Sequence, residues 1–191
     1  MNNNIENTNA TRILYLYEDV GHASVSEITK SIINFIVEDN KQENKIKNYT
    51  RKPIRLIINS FGGSVYDMWG LIDIILASPT PIYTYTSGYA MSAAFMIFIA
   101  GHKRFILNNS TIMIHQLYSG CSGKYFDLIE SVEECTRLHE RMTNYIKTRT
   151  KIKLGTLKTC YDTKKNWYID SEMAIDLNIA DEIVTSLSDF L

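Results

Sequence analysis

The sequence predicts an α/β fold, and three observations carry that prediction. Short apolar runs rich in β-branched residues recur along the chain, each too brief for a helix. Between them lie longer segments whose apolar residues return at helical spacing. Strand and helix patterns alternate as far as residue 115, the order expected of parallel strands joined by right-handed crossovers.

The bulk properties agree with a globular chain. Its 191 residues can bury a full core, and it is 45% hydrophobic and 21% charged with a net charge of −1. So balanced a charge gives no electrostatic reason to bind nucleic acid or a membrane surface. The start, "MNNNIENTNATR", is polar and lacks the apolar segment of a secretory signal. The longest apolar run, Ala93 to Ala100, falls far short of the ~20 residues of a spanning helix. A cytoplasmic protein is expected. Cys121, Cys135 and Cys160 form no CxxC pair, which fits reduced thiols in a reducing compartment.

In order, residues 1–11 read as a polar tail and 12–191 as a single domain. "RILYLY" (12–17) is the first strand. "SVSEITKSIINFIVED" (24–39) has the helical period, with Ser24 or Ser26 as its cap, and a charged loop (40–53) follows. "IRLIIN" (54–59) is a continuous apolar run, as expected of a strand covered on both faces. "SFGGS" leads to a helix from Val65 to Ala77. "IYTYT" (82–86) is a strand, "SGYAMSAAFMIFIAG" (87–101) a turn and then a helix, and "RFIL" (104–107) and "TIMIH" (111–115) are two more strands.

After His115 the pattern changes. "YSGCSG" is a flexible turn, and a long helix follows from about 125 to 148. Its apolar stripe includes Leu128, Val132, Leu138, Met142 and Ile146, with Glu133 and Arg137 placed to pair outside. At 1.5 Å per residue it would extend about 36 Å, more than this domain needs, so part of it should project toward another subunit. The tail (168–184) reads as a strand end, a short helix capped by Asp170 and closed near Asn178, and a last strand.

Three places carry chemistry. Ser92 lies between a turn and a buried helix, where a serine is either an N-cap or a nucleophile awaiting a base. His115 ends a strand, and ligands of open α/β sheets gather at strand carboxyl ends. In "INSFGGS" (58–64) two glycines let the backbone turn sharply and offer N–H groups to an oxyanion. No HExxH, phosphate loop or dinucleotide fingerprint is present, so no metal and no cofactor are expected.

Together, "INSFGG", "AMSAAF" and "MIHQ" resemble, in the same order, the "INSPGG", "ASMGA"-like and "MIHQ" motifs of the ClpP-like serine peptidases of family S14. The resemblance runs over roughly residues 12–184. It implies a crotonase/ClpP-like ββα spiral with a protruding handle helix, and hydrolysis of peptide bonds by a Ser-His-Asp triad within a barrel of stacked rings. Carried over by position, Ser92 is the nucleophile, His115 the general base, and the amides of Gly63 and Ala93 the oxyanion hole. Partners implied are a peptide or unfolded protein substrate, copies of the chain in one heptameric ring or two stacked ones, and an AAA+ unfoldase. Docking of that unfoldase is in doubt, because only about eleven polar residues precede the first strand where the family carries a longer segment.

Two further departures stand out. Asn166 occupies the position of the triad aspartate. An amide can orient an imidazole but carries no charge, and Asp-to-Asn in a chymotrypsin-type site costs roughly 10⁴ in turnover. Three readings stay open: Asn166 serves in a slower triad, Asp162 or Asp170 supplies the carboxylate, or the subunit is weak or silent. Phe61 replaces the usual proline where substrate backbone should pass. The rivals are a non-catalytic ring subunit and a crotonase-type acyl-CoA enzyme.

Overall fold

A computed structural model describes residues 12–186; the expected polar tail, 1–11, lies outside them. In chain order the elements are β1 (Ile13–Leu16), α1 (His22–Glu43), β2 (Ile54–Ser60), α2 (Val65–Ala77), β3 (Ile82–Met91), α3 (Ala93–Phe98), β4 (Lys103–Leu107), β5 (Thr111–Ile114), α4 (Tyr125–Arg149), α5 (Leu154–Asp162), β6 (Trp167–Ile169), α6 (Ser171–Asp176) and β7 (Glu182–Val184).

The strands form one sheet in the order β1-β2-β3-β4-β7, all parallel, with β5 paired to the far end of β3 and β6 antiparallel to β5. Leu56 and Ile58 of β2 point into the main core beneath the helices. Ile57, between them, packs with Tyr85 and Val184 on the opposite face. That alternation explains why β2 reads as an unbroken apolar run.

Several details differ from the sequence-based expectation. Gly21, not a serine, caps α1; Ser24 stands one turn in, where its Oγ accepts the Gly21 N–H at 3.1 Å. The strand expected over 82–86 continues to Met91, through an irregularity opposite Ile58–Ser60. Arg137 pairs with Glu134 rather than Glu133. Helix α5 was not expected at all. Asp170 does cap α6, accepting the Met173 N–H at 2.8 Å, and Asn178 does take the left-handed conformation.

Helix α4 changes character along its length. Leu138, Met142 and Ile146 are buried, whereas Tyr125, Phe126 and Val132 are exposed. The buried half sits on α2, where Tyr145 meets Trp69 edge-on and the Arg141 guanidinium lies 3.9 Å over the same ring. Its last residue locks it to α3: Arg149 donates from Nε to the Ile99 carbonyl at 2.8 Å and from Nη2 to the Gly101 carbonyl at 2.9 Å. These carbonyls end α3 and have no partner within the helix, so Arg149 both caps α3 and anchors α4.

Candidate active site

The site begins at the junction of β3 and α3. Ser92 joins them with φ 53° and ψ −121°, a conformation that costs a non-glycine residue about 1–3 kcal/mol and persists only where its surroundings impose it. The surroundings are backbone. Ser92 N–H donates to the Met113 carbonyl of β5 at 2.9 Å, and Gly62 presses against the turn from the β2 side. A Cβ on Gly62 would lie 2.7 Å from the Met91 carbonyl oxygen and 2.9 Å from the Ala93 nitrogen. Only glycine fits there, and its φ of 104° is one glycine adopts readily.

The glycine pair is held in turn by the β1–α1 connection. Val20 N–H donates to the Gly62 carbonyl, and Ser64 N–H to the Val20 carbonyl, each at 2.7 Å. Ser60 Oγ donates to the Glu18 carbonyl at 2.6 Å and accepts the Gly62 N–H at 3.2 Å. This bracing uses the amides on either side of Gly63 and leaves the Gly63 N–H unspent.

Ser92 stands at the N-cap of α3, yet its side chain makes no capping bond. The ordinary structural use of a serine here is therefore not made. Ser92, His115, Gly63 and Ala93 line one cavity of about 220 Å³. Its apolar lining includes Val65, Phe95, Met96, Met142, Ile146 and Tyr161. Met142 and Ile146 belonged to the stripe expected on the long helix; Tyr161 lies on α5 and carried no recognisable signal as a site residue.

His115 follows β5 directly and is half-buried. Burial disfavours its charged form and lowers its pKa below the ordinary histidine value, with a weaker opposing effect from the Gln116 backbone. The imidazole is thus neutral near pH 7, the state a general base requires. The nearby thiol of Cys160 has the opposite character. Its pKa is raised by burial and its Sγ donates to the Lys165 carbonyl at 3.1 Å, so it is a packing group.

The expected third member is placed differently. The antiparallel β5–β6 register pairs Ile114 with Trp167, so Asn166 follows opposite His115 just past the strand ends. Its side chain, however, is exposed, donates to Tyr168 Oη at 3.4 Å and lines a separate cavity with Lys153, Cys160 and Lys165. No hydrogen bond joins Ser92 to His115, or His115 to Asn166, among the described residues. Asp162 lines a third cavity that shares Gln116, Leu117 and Tyr161 with the first. Asp170 is engaged as the cap of α6. No group of three or more His, Cys, Asp or Glu able to hold a metal occurs among the described residues, and no described helix is long and apolar enough to cross a membrane.

Comparison with known proteins gives a consistent answer. Residues 2–187 match the family described as Clp protease. The ATP-dependent Clp protease proteolytic subunit 1 of Prochlorococcus marinus subsp. pastoris is 31% identical over 175 residues, covering 91% of this chain and 83% of that protein. The subunit 1 of Rhodopirellula baltica is 27% identical, covering 91% and 72%. Among solved structures, an asparagine-to-aspartate mutant of ClpP1 from Listeria monocytogenes superposes with a TM-score of 0.78 at 23% identity, covering 93% of this chain and 94% of that one. That likeness shows the fold.

Proposed function

The chain belongs to the Clp protease family, and from that premise we propose that it works as a serine endopeptidase, the proteolytic subunit of a ring-shaped protease, with Ser92 as nucleophile and His115 as general base. One observation carries the assignment: a serine hydroxyl that makes no capping bond, at a positive φ imposed by glycine backbone, shares a cavity with His115, Gly63 and Ala93.

In this reading the Ser92 hydroxyl gives its proton to His115 as Oγ attacks the scissile carbonyl. The oxyanion takes hydrogen bonds from the Gly63 and Ala93 N–H groups. His115 then passes the proton to the leaving amine, and water, deprotonated by the same imidazole, releases the acyl group from Ser92. The apolar cavity receives one side chain of the acyl half. Asn166 orients His115 once the β5–β6 pairing extends by one residue pair, holding the imidazole without a countercharge. The exposed half of α4, with Tyr125, Phe126 and Val132, joins two rings, each a heptamer, around an enclosed chamber that takes peptide or unfolded protein. An AAA+ unfoldase would feed that chamber.

A fluorophosphonate probe tests the assignment. The wild type should label, and Ser92→Ala and His115→Ala should not. An unlabelled wild type, or a Ser92→Ala protein that labels equally, overturns it. A silent ring subunit is the second reading, favoured by the missing hydrogen bonds between Ser92, His115 and Asn166; it predicts normal assembly without labelling. The acyl-CoA alternative draws no support from the family match.

A further inference from the structure

Phe61 is a large apolar side chain left 62% exposed beside the most constrained backbone of the site. Its ring lies on that of Tyr89, with centroids 4.3 Å apart and planes inclined by 31°. Tyr89 stands three residues before Ser92 on β3, and Phe61 directly precedes Gly62, the residue wedged against the Ser92 turn. The two rings thus form a small aromatic shelf next to the nucleophile.

The shelf lies outside the apolar cavity. Gly63 and Val65 line that cavity, whereas Phe61, on the other side of Gly62, does not. A peptide whose acyl side chain fills the cavity lies over Gly63 to Val65. With the cavity side of Ser92 taken by the acyl half, the exposed Phe61–Tyr89 shelf is an apolar surface beside the nucleophile left for the leaving half. We propose that the Phe61–Tyr89 pair is a specificity determinant for the residue on the leaving-amine side of the cleaved bond, favouring an aromatic or large aliphatic side chain there. The physical basis is burial of the exposed Phe61 face by an apolar partner and offset stacking for an aromatic one. A small or acidic residue gains neither. This inference rests on the peptidase reading above and refines its substrate class.

The test uses the full chain and peptides with one fixed acyl half, varied only at the first residue of the leaving half: Phe, Leu, Ala or Asp. Wild type should show kcat/KM for Phe and Leu roughly three- to tenfold above Ala, with Asp lowest. Phe61→Ala should level Phe, Leu and Ala, and Phe61→Trp should restore the order. An activated p-nitrophenyl ester, which has no amino acid on its leaving side, measures any general effect of Phe61→Ala on Ser92, and the Phe-to-Ala ratio is read independently of it. An unchanged Phe-to-Ala ratio in a Phe61→Ala protein that still cleaves the ester overturns this inference alone. Failure of the wild type on ester and peptides alike overturns it together with the peptidase reading.

Discussion

Ser92 and Asn166 belong to the same proposed relay but are held by different means. Ser92 is fixed by main chain on two sides: the Met113 carbonyl accepts its N–H, and Gly62 blocks any relaxation of the turn. Asn166 sits one residue before a strand of three, exposed, with a single long hydrogen bond to Tyr168. The nucleophile's strain is therefore imposed by rigid packing, whereas the orienting residue is free to turn. The difference teaches that the proposed nucleophile is built into the fold of the protomer, while the placement of Asn166 beside His115 depends on a short segment that small forces can shift.

The largest expected break in this contrast is Gly62→Ala. The added Cβ meets backbone atoms rather than a movable side chain, and φ of 104° strains any other residue. We expect a loss of about 3 kcal/mol in unfolding free energy, seen in denaturant titration, and no fluorophosphonate labelling even of the fraction that folds. Labelling at the wild-type rate would show that the turn does not need its wedge.

Next is Asn166→Asp. A carboxylate opposite His115 would stabilise the imidazolium, and kcat should rise at least tenfold toward the roughly 10⁴ separating Asp from Asn in chymotrypsin-type sites. An unchanged kcat would remove Asn166 from the relay and turn attention to Asp162.

The pH profile sharpens the same point. Burial lowers the His115 pKa, so kcat/KM should rise with pH through a midpoint below the ordinary value of about 6.5. Stability follows the same sign. The unfolded chain takes up the proton first, so the contribution of His115 is intact above that ordinary value and declines as pH falls through it. In Asn166→Asp the activity midpoint should move up, because the new charge favours the protonated ring. A midpoint that stays put would mean that the carboxylate never reaches His115.

The smallest protomer effect should come from Val132→Ser on the outer half of α4. Val132 is 60% exposed, so unfolding stability should change by no more than about 0.5 kcal/mol. Stacking of rings, followed by sedimentation, should weaken. Unaltered sedimentation would remove this face from the contact between rings.

Much of the fold was legible in the chain because local periodicity and burial coincide. Helix α2 was read to its end residues, since Ser64 caps it and its apolar residues keep the helical period. The long helix was read closely for the same reason. Helix α5 escaped notice because its nine residues are short for a periodic signal and include the weak helix formers Gly155, Thr156 and Thr159, with Leu157, Cys160 and Tyr161 alone buried. The extension of β3 through Gly88 was hidden because glycine reads as a turn, although here it makes room for the Asn59 side chain, whose Oδ1 would lie 2.9 Å from a Cβ. The choice of Glu134 over Glu133 for Arg137 turned on Tyr66 of α2, which donates to the same Glu134 carboxylate at 2.6 Å.

By itself, the order of residues determined the alternation of strand and helix, the family, and the candidates Ser92, His115, Gly63 and Ala93, because each depends on composition and spacing within a short window. Only the tertiary structure decided that Ser92 is strained and uncapped, that burial lowers the His115 pKa, that Phe61 lies on Tyr89 and that Asn166 is exposed and bonded to Tyr168. Those properties arise where segments distant in sequence press on one another, and no local pattern encodes the space that a neighbouring backbone leaves.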